Sequence, residues 1–445
     1  MRKKTKTKLL ILVIGVLIVG VSFFYRKDIR INYVLSQSSY SYLPSEAKKY
    51  IEDVYKETGN IILTEKNKNQ NELYLNPIYV DYLTYTDEEK QQVSLIPSPT
   101  IVDYYTRDSV EDVELPSKYD LRDDNGNNYV TPVRDQGGLG LCWAFATAGS
   151  LESHLLKTTN TSYSPTSLLI TERQIDYVTS KNSINGYKSE YVSFIDRSLG
   201  DGGNFYISTI ALANGVSAFD YNSFKEYNDK DSSRMELSDV ISYDKSLYEV
   251  NSTVNFPQLN LRESTSILTD EEKETRNNYL NEIKQNVMKN GALYVSTFTN
   301  STCLYEDTEL DNTIIDVYNC SLRGGHAMEI IGWDDDINYS YCADTKSHST
   351  NISNCTNVVS GKGVWILKNS WGESTQYPYL TYDSMYTAVN FITEVQSSED
   401  KDWDNNYVLG TEAENIKSQT YTLSNTKIKG DEKLEKIKFI TSNVD

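Results

Sequence analysis

The chain has 445 residues, of which 38% are hydrophobic, 24% charged and 11% aromatic, with 35 tyrosines. That is a globular composition long enough for two or three modules, and it excludes wholesale disorder. The formal net charge is -20, and five of the cations, Arg2, Lys3, Lys4, Lys6 and Lys8, lie at the extreme N-terminus; the acidic remainder repels phosphate backbones, which excludes nucleic acid as a partner.

The basic start runs into an apolar stretch from Leu9 to Phe24 and then Tyr25-Arg26-Lys27-Asp28, the pattern of an export signal. The stretch is short for a membrane span, and Ser22-Phe23-Phe24 offers no good small-x-small cleavage site. Residues 1–25 are therefore either an uncleaved signal anchor or a cleaved signal peptide. Either places the rest in the extracellular space or on the cell surface, tethered in the first case by the N-terminal anchor.

Residues 26–115 are polar and tyrosine-rich, with one predicted helix at Pro44 to Thr58 and proline-punctuated sequence through Ile96-Pro97-Ser98-Pro99. This reads as a pro-segment or linker. From Leu115-Pro116 the texture changes, leading to the glycine-rich turn Gln136-Gly137-Gly138-Leu139-Gly140-Leu141-Cys142. The small, apolar run Trp143 to Ser153 predicts a buried helix; further helices are expected from Pro165 to Val178 and from Asp270 to Lys289. Strands are predicted at Ala292–Phe298, Ala327–Trp333 and Gly363–Asn369, so helices dominate the first half and strands the second, an α+β enzyme with two lobes. The polar stretch Asp334 to Lys362 reads as a loop insertion.

Four of the five cysteines form two close pairs, Cys303 with Cys320 and Cys342 with Cys355. Of the three connectivities, the sequence-local one fits best, because both segments look like surface excursions. Cys342, His348 and Cys355 match no usual zinc spacing, and neither a metal nor a cofactor is implied.

Cys142 stands apart. A thiol attacks an amide as thiolate, so it needs a field that lowers its pKa and a base beside it. The turn-to-helix junction supplies the field through the positive end of the helix. Three histidines can supply the base. His154, 12 residues along the same helix, lies roughly 18 Å away at about 1.5 Å per residue. His348 falls in the polar insertion. His326, in Arg323-Gly324-Gly325-His326-Ala327-Met328, stands at the start of an apolar strand and is the candidate. Asn369, in Lys368-Asn369-Ser370-Trp371-Gly372, can accept a hydrogen bond from its ring while Trp371 covers it. Gln136 can present its side-chain amide, with the Cys142 N–H, to a developing oxyanion.

The order Gln136, Cys142, His326, Asn369 in these contexts resembles the papain family of cysteine peptidases, over about residues 115 to 395. The resemblance implies a two-lobed fold with a helical left lobe, a β-barrel-like right lobe and the cleft between them. It implies a cysteine endopeptidase working through a Cys142 thioester, made as a zymogen and exported, with protein or peptide substrates and its own pro-segment as intramolecular inhibitor. Asp201-Gly202-Gly203-Asn204 resembles the family's glycine pair, whose backbone binds substrate as an added strand. By position, Phe205 and Ala327 would line the pocket for the side chain two residues before the cut. The family's Cys-Gly-Ser-Cys-Trp is Leu139-Gly140-Leu141-Cys142-Trp143 here, and the region near Gly200, where that first cysteine's partner would lie, has none, so both ends of one family disulfide are absent. The implied domains are 1–25, 26–115, a peptidase domain at 116–395 and a partial β-rich segment at 396–445. That last segment is similar to the lectin-like module of some secreted members, which implies a cell-surface glycan as partner. Two rival functions are an inactive papain-fold surface adhesin and a Cys-His amidase acting on cell-wall peptides.

Overall fold

The computed structural model describes residues 114–180, 198–213, 247–256, 261–320, 324–344, 349–372, 375–384 and 388–397, with short pieces between and before them, notably 73–75, 85–91, 93–97 and 100–102. The expected helix at Pro44–Thr58, the N-terminal apolar stretch and the C-terminal segment lie outside the described residues. Among the described residues no helix is long and apolar enough to cross a membrane.

The elements in chain order are β1 (Leu73–Leu75), α1 (Asp87–Gln91), β2 (Thr100–Val102), β3 (Lys118–Asp120), α2 (Cys142–Thr158), α3 (Glu172–Val178), α4 (Phe205–Ala213), β4 (Tyr248–Phe256), α5 (Asp270–Asn290), β5 (Leu293–Phe298), β6 (Leu304–Asp307), β7 (Asn312–Ile315), β8 (Gly325–Cys342), β9 (Val358–Lys368), β10 (Tyr379–Thr381) and β11 (Ala388–Ser397). Helices α2, α3 and α4 make the left lobe. The right lobe is a nine-stranded sheet in the order β4-β11-β5-β8-β9-β10-β7-β6, with β3 added on β8. The two-lobed α+β architecture holds, and the sheet follows an open path from β4 to β6 rather than closing into a barrel.

Two apolar cores follow from this layering. One lies under α5, where Leu280, Ile283 and Val287 pack with Leu293, Ile330, Trp365 and Leu367 of the sheet. Thr269 and Glu272 start α5 with reciprocal side-chain-to-backbone bonds, a capping box that satisfies two of its free amides. The second core lies between the lobes and gathers Leu141, Cys142, Trp143, Ala144, Ala146 and Ala148 with Phe205, Tyr294, Ala327 and Ile392. The small side chains of α2 let helix and sheet approach closely.

Two sequence expectations change. The helix expected from Pro165 begins only at Glu172, because Ile170 is held extended, pairing with Asp220 while its N–H is bound by the Glu152 carboxylate at 2.6 Å. The stretch Asp334–Lys362 is not a loop: β8 runs on to Cys342 and pairs antiparallel with β9 from Val358 onward. Tyr339 and Tyr341 are buried on one face while Asn338 and Ser340 alternate with them, a period of two that polar composition disguises. A Cys342–Cys355 disulfide closes the tip of this hairpin, and Cys303–Cys320 closes the excursion between β5 and β8.

Candidate active site

The two lobes meet at the start of α2. Cys142 is its first residue, and Leu141 before it makes no side-chain cap. With no cap, the first amides of the helix stay available to the site. The sulfur is reached by the backbone N–H groups of Cys142, Trp143 and Ala327, of which the last follows His326 directly on β8.

His326 is 3% exposed. Its Nε2 lies 2.7 Å from Asn369 Oδ1, and the Trp371 ring stacks on it with centroids 4.7 Å apart at 26°. The amide of Asn369 has one orientation: Nδ2 donates to the Thr375 carbonyl at 3.0 Å, and Oδ1 also accepts from the Ser370 N–H at 2.8 Å. An oxygen must therefore face the ring, so Nε2 carries the proton and Nδ1 is left as the basic nitrogen.

Gln136 is tied to the same turn from the left lobe. Its N–H donates to the Ser370 carbonyl at 2.9 Å and its Oε1 accepts from Ser370 Oγ at 2.7 Å. Nε2 donates one proton to the Leu139 carbonyl at 2.8 Å, leaving its second N–H for the site. Sequence reasoning had not singled out Ser370, which fixes the orientation of this amide. His154 stays apart, its Nδ1 3.0 Å from the Asn290 carbonyl.

Residues 93–97, which precede both lobes in the sequence, cross this centre as a strap. Leu95 pairs in parallel with Gly203, the Ile96 N–H donates to the Gly203 carbonyl at 2.8 Å, and the Cys142 thiol donates to the Ser94 carbonyl at 3.4 Å. The Leu95 side chain enters the apolar cluster with Cys142, Phe205 and Ala327, and packs on Gly325, where an added Cβ would lie 3.1 Å from it. Gly202 faces the strap as well; a Cβ there would meet the Val93 carbonyl at 2.2 Å. Gly203 has no room for a side chain, since a Cβ would fall 2.4 Å from the Trp143 ring. The signal for the strap in the sequence is the pair Leu95-Ile96, apolar within a polar segment.

Buried under the strap, the Cys142 thiol is pushed up to about 12 by desolvation, against the pull of the three amides. Burial likewise lowers His326 to about 4, with the Asn369 bond opposing it. In this closed state both groups are neutral at ordinary pH.

Where the family's disulfide is missing, the backbone makes the join: the Gly140 N–H donates to the Gly200 carbonyl at 2.7 Å, and the Gly200 N–H donates to the Asp176 carboxylate. Behind the site a buried polar network ties its elements together. Lys368, one residue before Asn369, bridges Glu329 of β8 at 3.1 Å and donates to Thr131 at 3.1 Å. Thr131 and Arg134 bond Glu152 of α2 at 2.6 and 2.8 Å, and Arg134 pairs with Glu172 of α3 at 2.6 Å. Three carboxylates face two cations, and burial with the neighbouring Glu152 raises Glu329 to about 7 despite Lys368.

A two-lobed fold with a helix-borne thiol beside a strand-borne imidazole, and an asparagine behind that imidazole, defines a thiol-hydrolase architecture. The chain belongs to the papain family of cysteine proteases, whose family model matches residues 115–399. Among curated proteins it is 30% identical to cathepsin 7 of Rattus norvegicus over 27% of this chain and 35% of that protein. It is 25% identical to a probable cysteine protease of Arabidopsis thaliana over 58% and 55% of the two chains; the chain thus spans about a third of the first relative and little more than half of the second. Similar solved structures include the cysteine protease and lectin-like domains of Cwp84, a surface layer associated protein of Clostridium difficile, with a TM-score of 0.45 and 17% identity over 72% of this chain and 59% of that one. Another is digestive procathepsin L2 of Tenebrio molitor, at 0.39 and 15% over 83% and 99%.

Proposed function

We propose that this protein is an exported cysteine endopeptidase made as a zymogen. Cys142 attacks the scissile carbonyl as thiolate, His326 Nδ1 takes and returns the proton, and Asn369 holds the ring in the required tautomer. The Cys142 N–H and the second N–H of Gln136 stabilise the oxyanion. The thioester formed on Cys142 is then hydrolysed by water activated by the same ring, and Gly202 and Gly203 bind substrate backbone. One observation carries the reading: the amide adjoining His326 on β8 reaches the Cys142 sulfur, while the ring itself is held by Asn369 and shielded by Trp371.

The strap supports the inhibitory part. It lies over Cys142 and runs parallel to Gly203, in the reverse direction to that of a substrate cut at Cys142, with its Ser94 carbonyl accepting a hydrogen bond from the thiol. Export to the extracellular space or the cell surface rests on the N-terminal signal pattern and on the two disulfides. Protein or peptide substrates follow from the cleft; a cell-surface glycan bound through residues 396–445 rests on sequence likeness alone.

The test is covalent labelling and turnover after removal of the pro-segment. An epoxide inhibitor selective for papain-type enzymes is expected to modify Cys142 and to abolish cleavage of a fluorogenic peptide, with both effects absent in Cys142→Ala. Correctly processed protein that takes no label would favour the inactive adhesin instead.

A further inference from the structure

The row of residues that β5 and β8 share on the α5 side of the sheet is apolar until it reaches the cleft. Leu293 faces Ile330, Val295 faces Met328 and Thr297 faces His326 across the antiparallel ladder, and the first four of these lie in the core under α5. The pattern asks for a third apolar residue at position 297, yet a threonine stands there. Thr297 is 0% exposed, and its Oγ1 has no hydrogen-bond partner among the described residues. A hydroxyl buried and unpaired costs stability that a valine of the same shape does not. Residues directly opposite in such a ladder have Cβ atoms about 4.5–5.5 Å apart and side chains on one face, so the hydroxyl that breaks the pattern stands beside the imidazole.

Few other polar groups act on that ring. Asn369 holds Nε2, the Trp371 ring stacks on it, and α2 brings the Cys142 thiol. Burial and the Asn369 bond set its charge state, and among the described residues no carboxylate or cation faces it. Glu329, the next acid along β8, packs on the opposite face against Gly149 of α2 and pairs with Lys368. The buried cations of α5, Arg276 and Lys284, are paired with Asp383 and Asp335. A hydroxyl without a partner turns freely, so its oxygen can follow a charge that appears on the ring.

We propose that Thr297 is a positioning residue for the thiolate–imidazolium pair: when the strap leaves and the proton passes from Cys142 Sγ to His326 Nδ1, the Thr297 hydroxyl turns its oxygen toward the charged ring and steadies it. The proposal rests on the peptidase reading for the proton transfer, and on register and burial for its geometry. Loss of the imidazolium proton sets the alkaline limb of the rate profile, and ionisation of the thiol sets the acid limb. The Thr297 oxygen therefore moves the alkaline limb alone, to higher pH.

The test uses the processed protein and two variants. Thr297→Val keeps the shape and suits a strand, and Thr297→Ser keeps the hydroxyl. In Thr297→Val the alkaline limb of kcat/KM on a fluorogenic peptide is expected to fall by about one pH unit, a tenfold change in the proton affinity of the ring, with the acid limb in place. Thr297→Ser is expected to keep both limbs. An unmoved alkaline limb in Thr297→Val, a loss equal at every pH, or a limb displaced as far in Thr297→Ser overturns the proposal. Urea unfolding in a Cys142→Ala background checks the fold, and Thr297→Val is expected to be at least as stable as the unaltered residue. A lower midpoint would mean that the hydroxyl is bonded elsewhere, which also overturns the proposal.

A second profile needs no turnover. Cys142 is the one free cysteine among the described residues, and its alkylation by iodoacetamide changes rate where the ring beside it loses its proton. That step is expected to fall by the same pH unit in Thr297→Val and to stay in Thr297→Ser; a step unmoved in both overturns the proposal. Failure of the unaltered processed protein to cleave any peptide would sink the peptidase reading instead, and the alkylation profile would still decide the part played by Thr297.

Discussion

The carbonyl of Ser94 lies 3.4 Å from the Cys142 sulfur and accepts a hydrogen bond from the thiol. An acceptor in that place favours the thiol over the thiolate, so the strap suppresses the nucleophile chemically as well as covering it. With the thiol near 12 and the imidazole near 4, neither group is charged between those limits. Alkylation of Cys142 in the full chain is therefore expected to be slow and to rise with pH only in strong alkali. Removal of the strap should raise the rate at pH 7 by ~10³-fold, the gap between a buried thiol and an ordinary one. A rate–pH profile of the two forms with iodoacetamide checks this; identical profiles would show that the strap leaves the thiol untouched.

The Asn369 amide is locked by three separate bonds, to His326, Ser370 and Thr375. Asn369→Ala frees the ring to take the other tautomer and to rotate under Trp371. The expected result is a fall in kcat of ~10²-fold with KM little changed, within the range that proton transfer contributes. Steady-state kinetics on one peptide substrate decides. A loss confined to KM would mean that Asn369 serves the groove rather than the ring.

Much of this centre was legible in the sequence because each piece announces itself locally. Cys142 follows a glycine-rich turn and opens an apolar helix, and the chain has three histidines, of which only His326 begins an apolar strand. What stayed hidden depends on distant partners. Leu95 acquires meaning only against Gly203 and Gly325, and nothing near it in sequence names them. The long β8–β9 hairpin was masked because its buried face is built from Tyr339 and Tyr341 within a run of Asp, Asn and Ser. The part played by Ser370 in orienting Gln136 is likewise a tertiary fact, since the two residues come from different lobes.

Gly203 sits where the strap, the Trp143 ring and the left-lobe loop converge. A methyl group there would lie 2.4 Å from the ring carbons, and neither helix α2 nor its indole, which donates to the Gly140 carbonyl at 2.9 Å, can retreat freely. Gly203→Ala is expected to cost ~1–3 kcal/mol, the usual penalty of overpacking. Urea unfolding measures it, best in a Cys142→Ala background that cannot digest itself. A change below the error of the fit would mean that the loop moves aside.

The network behind the site carries one negative charge more than it can pair when Glu152, Glu172 and Glu329 are all ionised against Arg134 and Lys368. Glu329 holds the extra proton: its folded-state value is about 7 against an ordinary 4.5. A carboxyl raised in this way binds its proton in the folded state before the unfolded one as pH falls. Its contribution to stability is therefore fully present below the unfolded value and is lost as pH rises through 7. A displacement of that size corresponds to ~3 kcal/mol. Glu329→Gln keeps an oxygen for Lys368 while removing the charge, so it balances the network at every pH in the range. Unfolding free energies from pH 5 to 8 are expected to fall for the unaltered protein relative to the variant, with the two diverging most at the alkaline end. Parallel curves would place the excess proton elsewhere, Glu172 being the next carboxyl that burial raises.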